Sequence, residues 1–266
     1  MQSKALIKGQ LDRSYFPRPK QSANTLFNFM KRQEYLKQII SKQAILPRYV
    51  QEDISYLGID IQSISIPMTC FCDINMQKIA AHTRVYGRYG IAFHKNWSIK
   101  HGIQPIHYIN PDSLICKDFQ VAFSEAERLA HDGADTPVSD YLFSHLAFMK
   151  PLYLWNLEDG KVQNFHDERE WRYIPSFDPS ETELPPFLLG SNNNQKSRDS
   201  HNLGIAQLPS SWLNFEWSDI KYILVPVASA KSSIIAFIDS KASINHRDKL
   251  ELISKIVRLD ELLEDV

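Results

Sequence analysis

With 30 Lys and Arg against 31 Asp and Glu in 266 residues, the chain carries a formal net charge of -1. No global field therefore draws it onto nucleic acid or an anionic membrane, and any nucleic-acid contact must be a local patch. Hydrophobic residues at 43% and charged residues at 23% suit a globular protein with a substantial core, and no apolar run reaches the roughly 20 residues that span a bilayer.

Residues 1–24 combine Lys, Arg and Gln with Pro17 and Pro19 and lose apolar periodicity, which predicts a flexible arm ahead of a single domain over 25–266. Thr25 to Met30 reads as a first strand. Gln33 to Gln43 reads as a helix with Tyr35, Leu36, Ile39 and Ile40 at helical spacing, stopped by Pro47. Arg48, Tyr49 and the acidic Gln51-Glu52-Asp53 precede Ile59 to Met68, which alternates as a half-buried strand does. Phe71 and Cys72 lead into a second helix, Asn75 to Tyr86. Cys70, Cys72 and Cys116 are sparse and odd in number, with no secretory signal ahead of them, which points to the reducing cytoplasm. Cys70-x-Cys72 lacks a second ligand pair and the nine histidines show no H-x-x-x-H spacing, so no metal is expected.

In Tyr86-Gly87-Arg88-Tyr89-Gly90, the glycines fit either a helix C-cap followed by a turn or the close approach of another backbone or a ligand. Gln104 to Ile109 reads as a strand. Asp112 to Met149 is helical in two runs, separated at Gly133 and Pro137. Lys150 to Trp155 enters the central strand region, and a turn at Asp159-Gly160 closes a hairpin with the acidic strand that follows. Residues 190–203 are polar enough to predict a mobile loop. Asp219 to Val227 and Ser233 to Ile238 read as strands, and Leu250 to Leu263 as an amphipathic terminal helix.

The acidic strand, Asp167 to Pro175, carries the most chemistry. Alternation puts Glu168, Glu170 and Arg172 on one side and Arg169, Trp171 and Tyr173 on the other, with Trp171 as the core anchor. Two carboxylates held this way suit stabilisation of a positively charged sugar, one steadying the oxocarbenium centre and the other orienting the attacking group. From the charge pattern alone, the simpler reading is a charged strand edge whose Glu168, Arg169, Glu170 and Arg172 form salt bridges with neighbours. His82, Lys95 and Trp97 either line a cleft or pack in the core.

Five stretches, Leu26-Phe-Asn-Phe29, Leu46-Pro-Arg-Tyr49 with Glu52-Asp53, Pro67 to Asp73, His82 with Tyr86 to Phe93, and Asp167 to Pro175, together resemble the AbiG-type abortive-infection, phage-resistance family. That resemblance implies an antitoxin or a phage-sensing component. In layout the order is also similar to DarT-like ADP-ribosyltransferases. That second resemblance implies an α+β fold with an ADP-ribosyltransferase-like split β-sheet core and flanking helices, and a toxin that moves ADP-ribose from NAD onto nucleic acid, single-stranded RNA before DNA. Glu170 then matches the catalytic glutamate, Glu168 the preceding acid, and Arg48 an NAD-phosphate arginine. Phe27, Asn28, Phe29, His82, Tyr86 and Tyr89 complete the implied NAD site, with Asn28 standing where such enzymes often carry histidine. A toxin of this kind implies a cognate antitoxin, and a chaperone, as partners.

Overall fold

The computed structural model describes residues 22–131, 137–156 and 160–264. In chain order, β1 (Thr25–Met30), α1 (Gln33–Lys42), β2 (Ala44–Ile45), β3 (Arg48–Asp53) and β4 (Ser63–Cys72) come first, then α2 (Ile79–Tyr86), β5 (Tyr89–His94) and α3 (Lys95–Lys100). The middle of the chain supplies β6 (Gln104–Pro105), β7 (His107–Ile109), α4 (Leu114–His131), α5 (Pro137–Leu146), β8 (Met149–Pro151), β9 (Tyr153–Asn156), β10 (Lys161–Asn164) and β11 (Glu170–Tyr173). The last third holds α6 (Gln195–Ile205), β12 (Leu213–Asn214), β13 (Ile220–Val225), α7 (Ala228–Asp239), α8 (His246–Ser254), β14 (Ile256–Arg258) and α9 (Leu259–Glu264).

The main sheet runs β14-β13-β5-β1-β4-β11-β6, with β3 also paired to β4. Its pairings are antiparallel except β13 with β14. Period-two alternation divides the strands between two faces. Leu26, Ile91, Phe93, Ile223 and Val225 pack against Leu36 and Ile40 of α1 and Ile234 and Ile238 of α7. Phe27, Ala92 and Leu224 face the other way, against Ile79 of α2 and Leu259 of α9. A separate core forms where Ile64, Ile66 and Met68 of β4 meet Phe119 and Phe123 of α4 and Leu142 of α5.

The sheet forks. β4 turns one edge to β11 and offers the other to both β1 and β3: β1 meets it at Phe27↔Cys72, while β3 takes Arg48↔Met68 to Asp53↔Ser63. Between those two pairings β1 peels away, and the exposed Cys70 carbonyl is satisfied by the Asn28 carboxamide at 2.9 Å rather than by a strand.

Several expected elements differ. The polar stretch expected to be a mobile loop forms α6, whose Asn194 side chain caps it by accepting from Ser197 N at 2.9 Å, and Asn202 on its inner face accepts the edge N–H of Tyr49 at 2.8 Å. Ser233–Ile238 is the heart of a helix, because Ala230, Ile234 and Ile238 bury every fourth residue, a period that a six-residue window conceals. The expected terminal helix breaks at Lys255, where Ile256–Arg258 joins the sheet as β14. The second predicted strand is shifted, occupying Ser63–Cys72 rather than Ile59–Met68, so Phe71 and Cys72 lie within it. Gln104–Ile109 divides between two sheets, Lys150–Trp155 lies outside the main sheet, and β9 pairs with β10 rather than with the acidic strand. α1 ends at Lys42, before Pro47, on Gln43 in the left-handed region. Most of the predicted arm, together with Gly133 and Asp159, lies outside the described residues. Its last residues are anchored: Ala23 is buried and donates its N–H to Asp73 at 2.8 Å.

Gly87 serves both roles considered for it. It follows α2 with φ of 120°, and a Cβ there would lie 2.2 Å from the Met30 carbonyl oxygen. Gly87→Ala is therefore expected to destabilise the fold by on the order of 3 kcal/mol, read as a lower urea midpoint with unchanged slope; a shift within experimental error would contradict the close approach.

Candidate functional site

β11 opens with Glu170, which is buried among cations. Glu170 Oε1 accepts from Arg172 Nε at 2.7 Å, and Oε2 accepts from Lys150 Nζ at 3.0 Å. Arg172 is fully buried; it also meets Glu52 Oε2 at 3.1 Å and donates to the Ala147 carbonyl at 2.8 Å. Lys150 Nζ bonds Glu168 Oε2 at 2.7 Å, and the other Glu168 oxygen accepts from Gln163 Nε2 at 3.1 Å and from the Tyr86 hydroxyl. Three carboxylates and two cations thus form one network.

Electrostatics follow from that packing. Burial pushes the Glu170 carboxyl up, but the Arg172 guanidinium and then Lys150 outweigh it and hold the group well below the usual carboxylate range. Burial disfavours the Lys150 ammonium, yet Glu170, Glu52 and Glu168 together raise it above an ordinary lysine. The Cys70 thiol is lifted by burial and then by Glu170, so it is neutral rather than an activated nucleophile.

Beside the network lies a cavity of about 290 Å³ whose walls include Phe27, Asn28, Phe29, His82, Tyr86 and Lys150 together with Glu52, Glu168 and Glu170. A second cavity, of about 720 Å³, opens between α1, β3 and α6 and is lined by Arg48 among others. Asn28, Phe29, Val50 and Cys70 line both, so the two cavities flank the fork in the sheet.

The structure places Phe27, Asn28, Phe29, His82, Tyr86, Glu168 and Glu170 around one cavity. Three expectations need correction. Glu168 is not on the strand: it ends the 3-10 turn Phe165–Glu168, and Arg169 follows with φ of 45°, which breaks the alternation and brings the acid to Lys150 from a turn. Arg48 is exposed and lines the larger cavity, not the acidic one. Tyr89 points to the α1 face, donating its hydroxyl to Gln33 at 3.4 Å and packing with the core there. Trp171 is half-buried against that same core, while the charged side of β11 is the more deeply buried. Lys95 and Trp97 are structural: Lys95 pairs with Asp73 at 2.5 Å and Trp97 stacks on Phe93.

Lys150 and Glu52 were missed as site residues. Lys150 read only as the start of a strand, and no local pattern signals that residues 20 positions from Glu170, or more than 100, supply its partners. Glu170 and Arg172 at spacing two were the available hint. Among the described residues no group of three or more His, Cys, Asp or Glu is placed to hold a metal ion, and no helix is long and apolar enough to cross a membrane.

Comparison with known proteins bears on this site. A family model described as "Putative abortive phage resistance protein AbiGi, antitoxin" matches residues 43–226, a span that includes β3, β4, α2, Lys150 and β11. The abortive phage resistance protein AbiGi of Lactococcus lactis subsp. cremoris is 36% identical over 250 residues, an alignment covering 84% of this chain and 99% of that protein. No solved structure matches the chain significantly.

Because the folded Glu170 carboxyl titrates below the unfolded one, near 4.3, its stabilisation is complete above that pH and is lost as pH falls through the folded value. Glu170→Gln should cost about 3 kcal/mol near neutral pH, and that deficit should shrink below about pH 4. Urea denaturation at both pH values checks this; a neutral effect at pH 7 would show that the pairing does not stabilise the fold.

Proposed function

The chain belongs to the AbiGi family of abortive phage resistance proteins, and from that premise we propose that it is the antitoxin-side component of an abortive-infection system, acting by binding a cognate toxin rather than by catalysis. The observation that carries this reading is the closure of the Glu170 network. A carboxylate that is to steady a cationic transition state must direct its charge at the substrate. Glu170 instead spends both oxygens on Arg172 and Lys150, and Glu168 spends both on Lys150, Gln163 and Tyr86. Binding surface is available elsewhere. Tyr35, Val50 and Leu203 are exposed around the larger cavity, apolar surface of the kind that partner proteins cover.

A second reading is favoured by one specific feature, the fork. The two cavities that share Asn28, Phe29, Val50 and Cys70 place Arg48 toward one end of a furrow and the acidic network toward the other. In that reading the fold is an ADP-ribosyltransferase-like split sheet that binds NAD along the furrow. Arg48 then meets the pyrophosphate, Glu170 and Glu168 act at the nicotinamide ribose after release from Lys150, and RNA is the acceptor. The antitoxin reading needs no such release, and the family description supports it.

Inducible expression of the chain alone, with NAD consumption measured on the purified protein in the presence and absence of RNA, separates the two. An antitoxin leaves growth unaffected and NAD intact. Growth arrest accompanied by NAD loss, both abolished by Glu170→Gln in a protein that still folds, would establish the transferase instead.

A further inference from the structure

α4 and α5 bury one side and leave the other bare. Cys116, Phe119, Phe123 and Ala126 of α4 meet Leu142 and Leu146 of α5 in one core. On the outer sides stand Leu114 at 76% exposure, Ile115 at 64%, Val121 at 71%, Val138 at 60% and Tyr141 at 62%. Among the described residues only one other large apolar side chain is as bare, Leu203 beside the larger cavity. His145, which stacks on Tyr141 and lies tilted against Phe119, ties the two helices into a single surface. Apolar residues scattered singly need no explanation, but five concentrated on two adjoining helices mark a surface that a partner covers.

The charges on α4 identify that partner. Val121 and Leu114 are seven residues apart, two turns along one exposed line. Lys117 stands four residues before Val121 and Glu125 four residues after it, on opposite flanks of that line, because four residues carry a helix about 40° beyond a full turn. A two-fold axis through Val121 reverses both direction and flank, and so sets Lys117 of one copy over the partner's Glu125, twice in each pair. Lys117 is exposed, and its ammonium makes no ion pair or hydrogen bond among the described residues. Glu125 meets Arg128 at 2.6 Å, with both side chains more than half exposed, a contact of little strength that a second cation can share. The face is thus complementary in charge to its own image.

We infer that α4 and α5 form the interface between two copies of this chain, with α4 packing antiparallel on its twin across a two-fold axis at Val121. A helix pair flanked by Val138 and Tyr141 is at the small end of specific interfaces, so association in the micromolar range is expected. Neither cavity at the fork contains a residue of α4 or α5, so the inference is independent of both readings of function.

Sedimentation equilibrium on the full-length chain, up to about 100 μM, tests it. The parent should form dimers, and Val121→Asp should weaken them roughly 10-fold or more by setting two carboxylates at the axis. Lys117→Glu and Glu125→Lys should each weaken self-association, because each sets like charges against one another twice in its own dimer. An equimolar mixture of those two variants should recover association near the parent's strength, since every facing pair is then opposite in charge. All three positions are exposed, so melting temperatures should match the parent's. Should one charge variant fold poorly, Lys117→Glu and Glu125→Lys combined in a single chain restore both pairs and take its place, with dimers of parent strength expected. A parent that stays monomeric over that range, dimers indifferent to Val121→Asp, or charge variants whose mixture or combination associates no better than either alone would overturn the inference.

Discussion

Arg172 has no exposed surface, and the arrangement around it follows from the need to keep that guanidinium hydrogen-bonded. Removing a charge from water costs several kcal/mol even after relaxation, and only close carboxylates and carbonyls repay it. Glu170 is supplied by the same strand, Glu52 by β3, and the Ala147 carbonyl by the segment after α5. Lys150, entering from β8, then balances Glu170 and Glu168. One buried cation therefore ties together segments that local sequence would leave independent, and it makes the charged side of β11 the inner side.

The fork in the sheet has an equally simple origin. β1 and β3 claim the same edge of β4, and two strands cannot occupy one stretch of edge. β1 keeps the Cys72 end and β3 keeps Ser63 to Met68. The gap left at Cys70 is bridged by a side chain, Asn28, and the space on either side becomes the two cavities. Their lining mixes aromatic rings with charged groups because it combines the ends of strands with residues from α2, α6 and the turn before β11.

These two constraints shape the functional reading of an AbiGi family member. A carboxylate held between Arg172 and Lys150 is a structural group before it is anything else, whereas the fork provides recesses whose chemistry is set by what remains unpaired. Tyr35, Val50 and Leu203 offer apolar surface around the larger recess.

Local periodicity carried much of the architecture. The stripe Leu36, Ile39, Ile40 specifies α1, and the spacing of Phe119, Phe123 and Ala126 specifies α4, because side chains three and four apart must share a helix face. The β1 strand and the Glu170–Tyr173 part of the acidic stretch were legible from period-two alternation, and the helical residues before Gly87 from the helical period. The residues around the cavity were legible only as a set of chemically capable types. Where short windows are ambiguous the sequence misled: Ile234 and Ile238 look alternating until Ala230 is included, and residues 190–203 look too polar to fold until Asn194 caps α6 and Asn202 pairs with the edge of β3. What only the tertiary structure decided is which distant groups meet. Glu52, Lys150 and Glu170 come together because a buried guanidinium must be neutralised, and Arg48 is parted from them because β3 and β1 share an edge of β4. Both are pairings across long stretches of chain, and no period along the sequence records them.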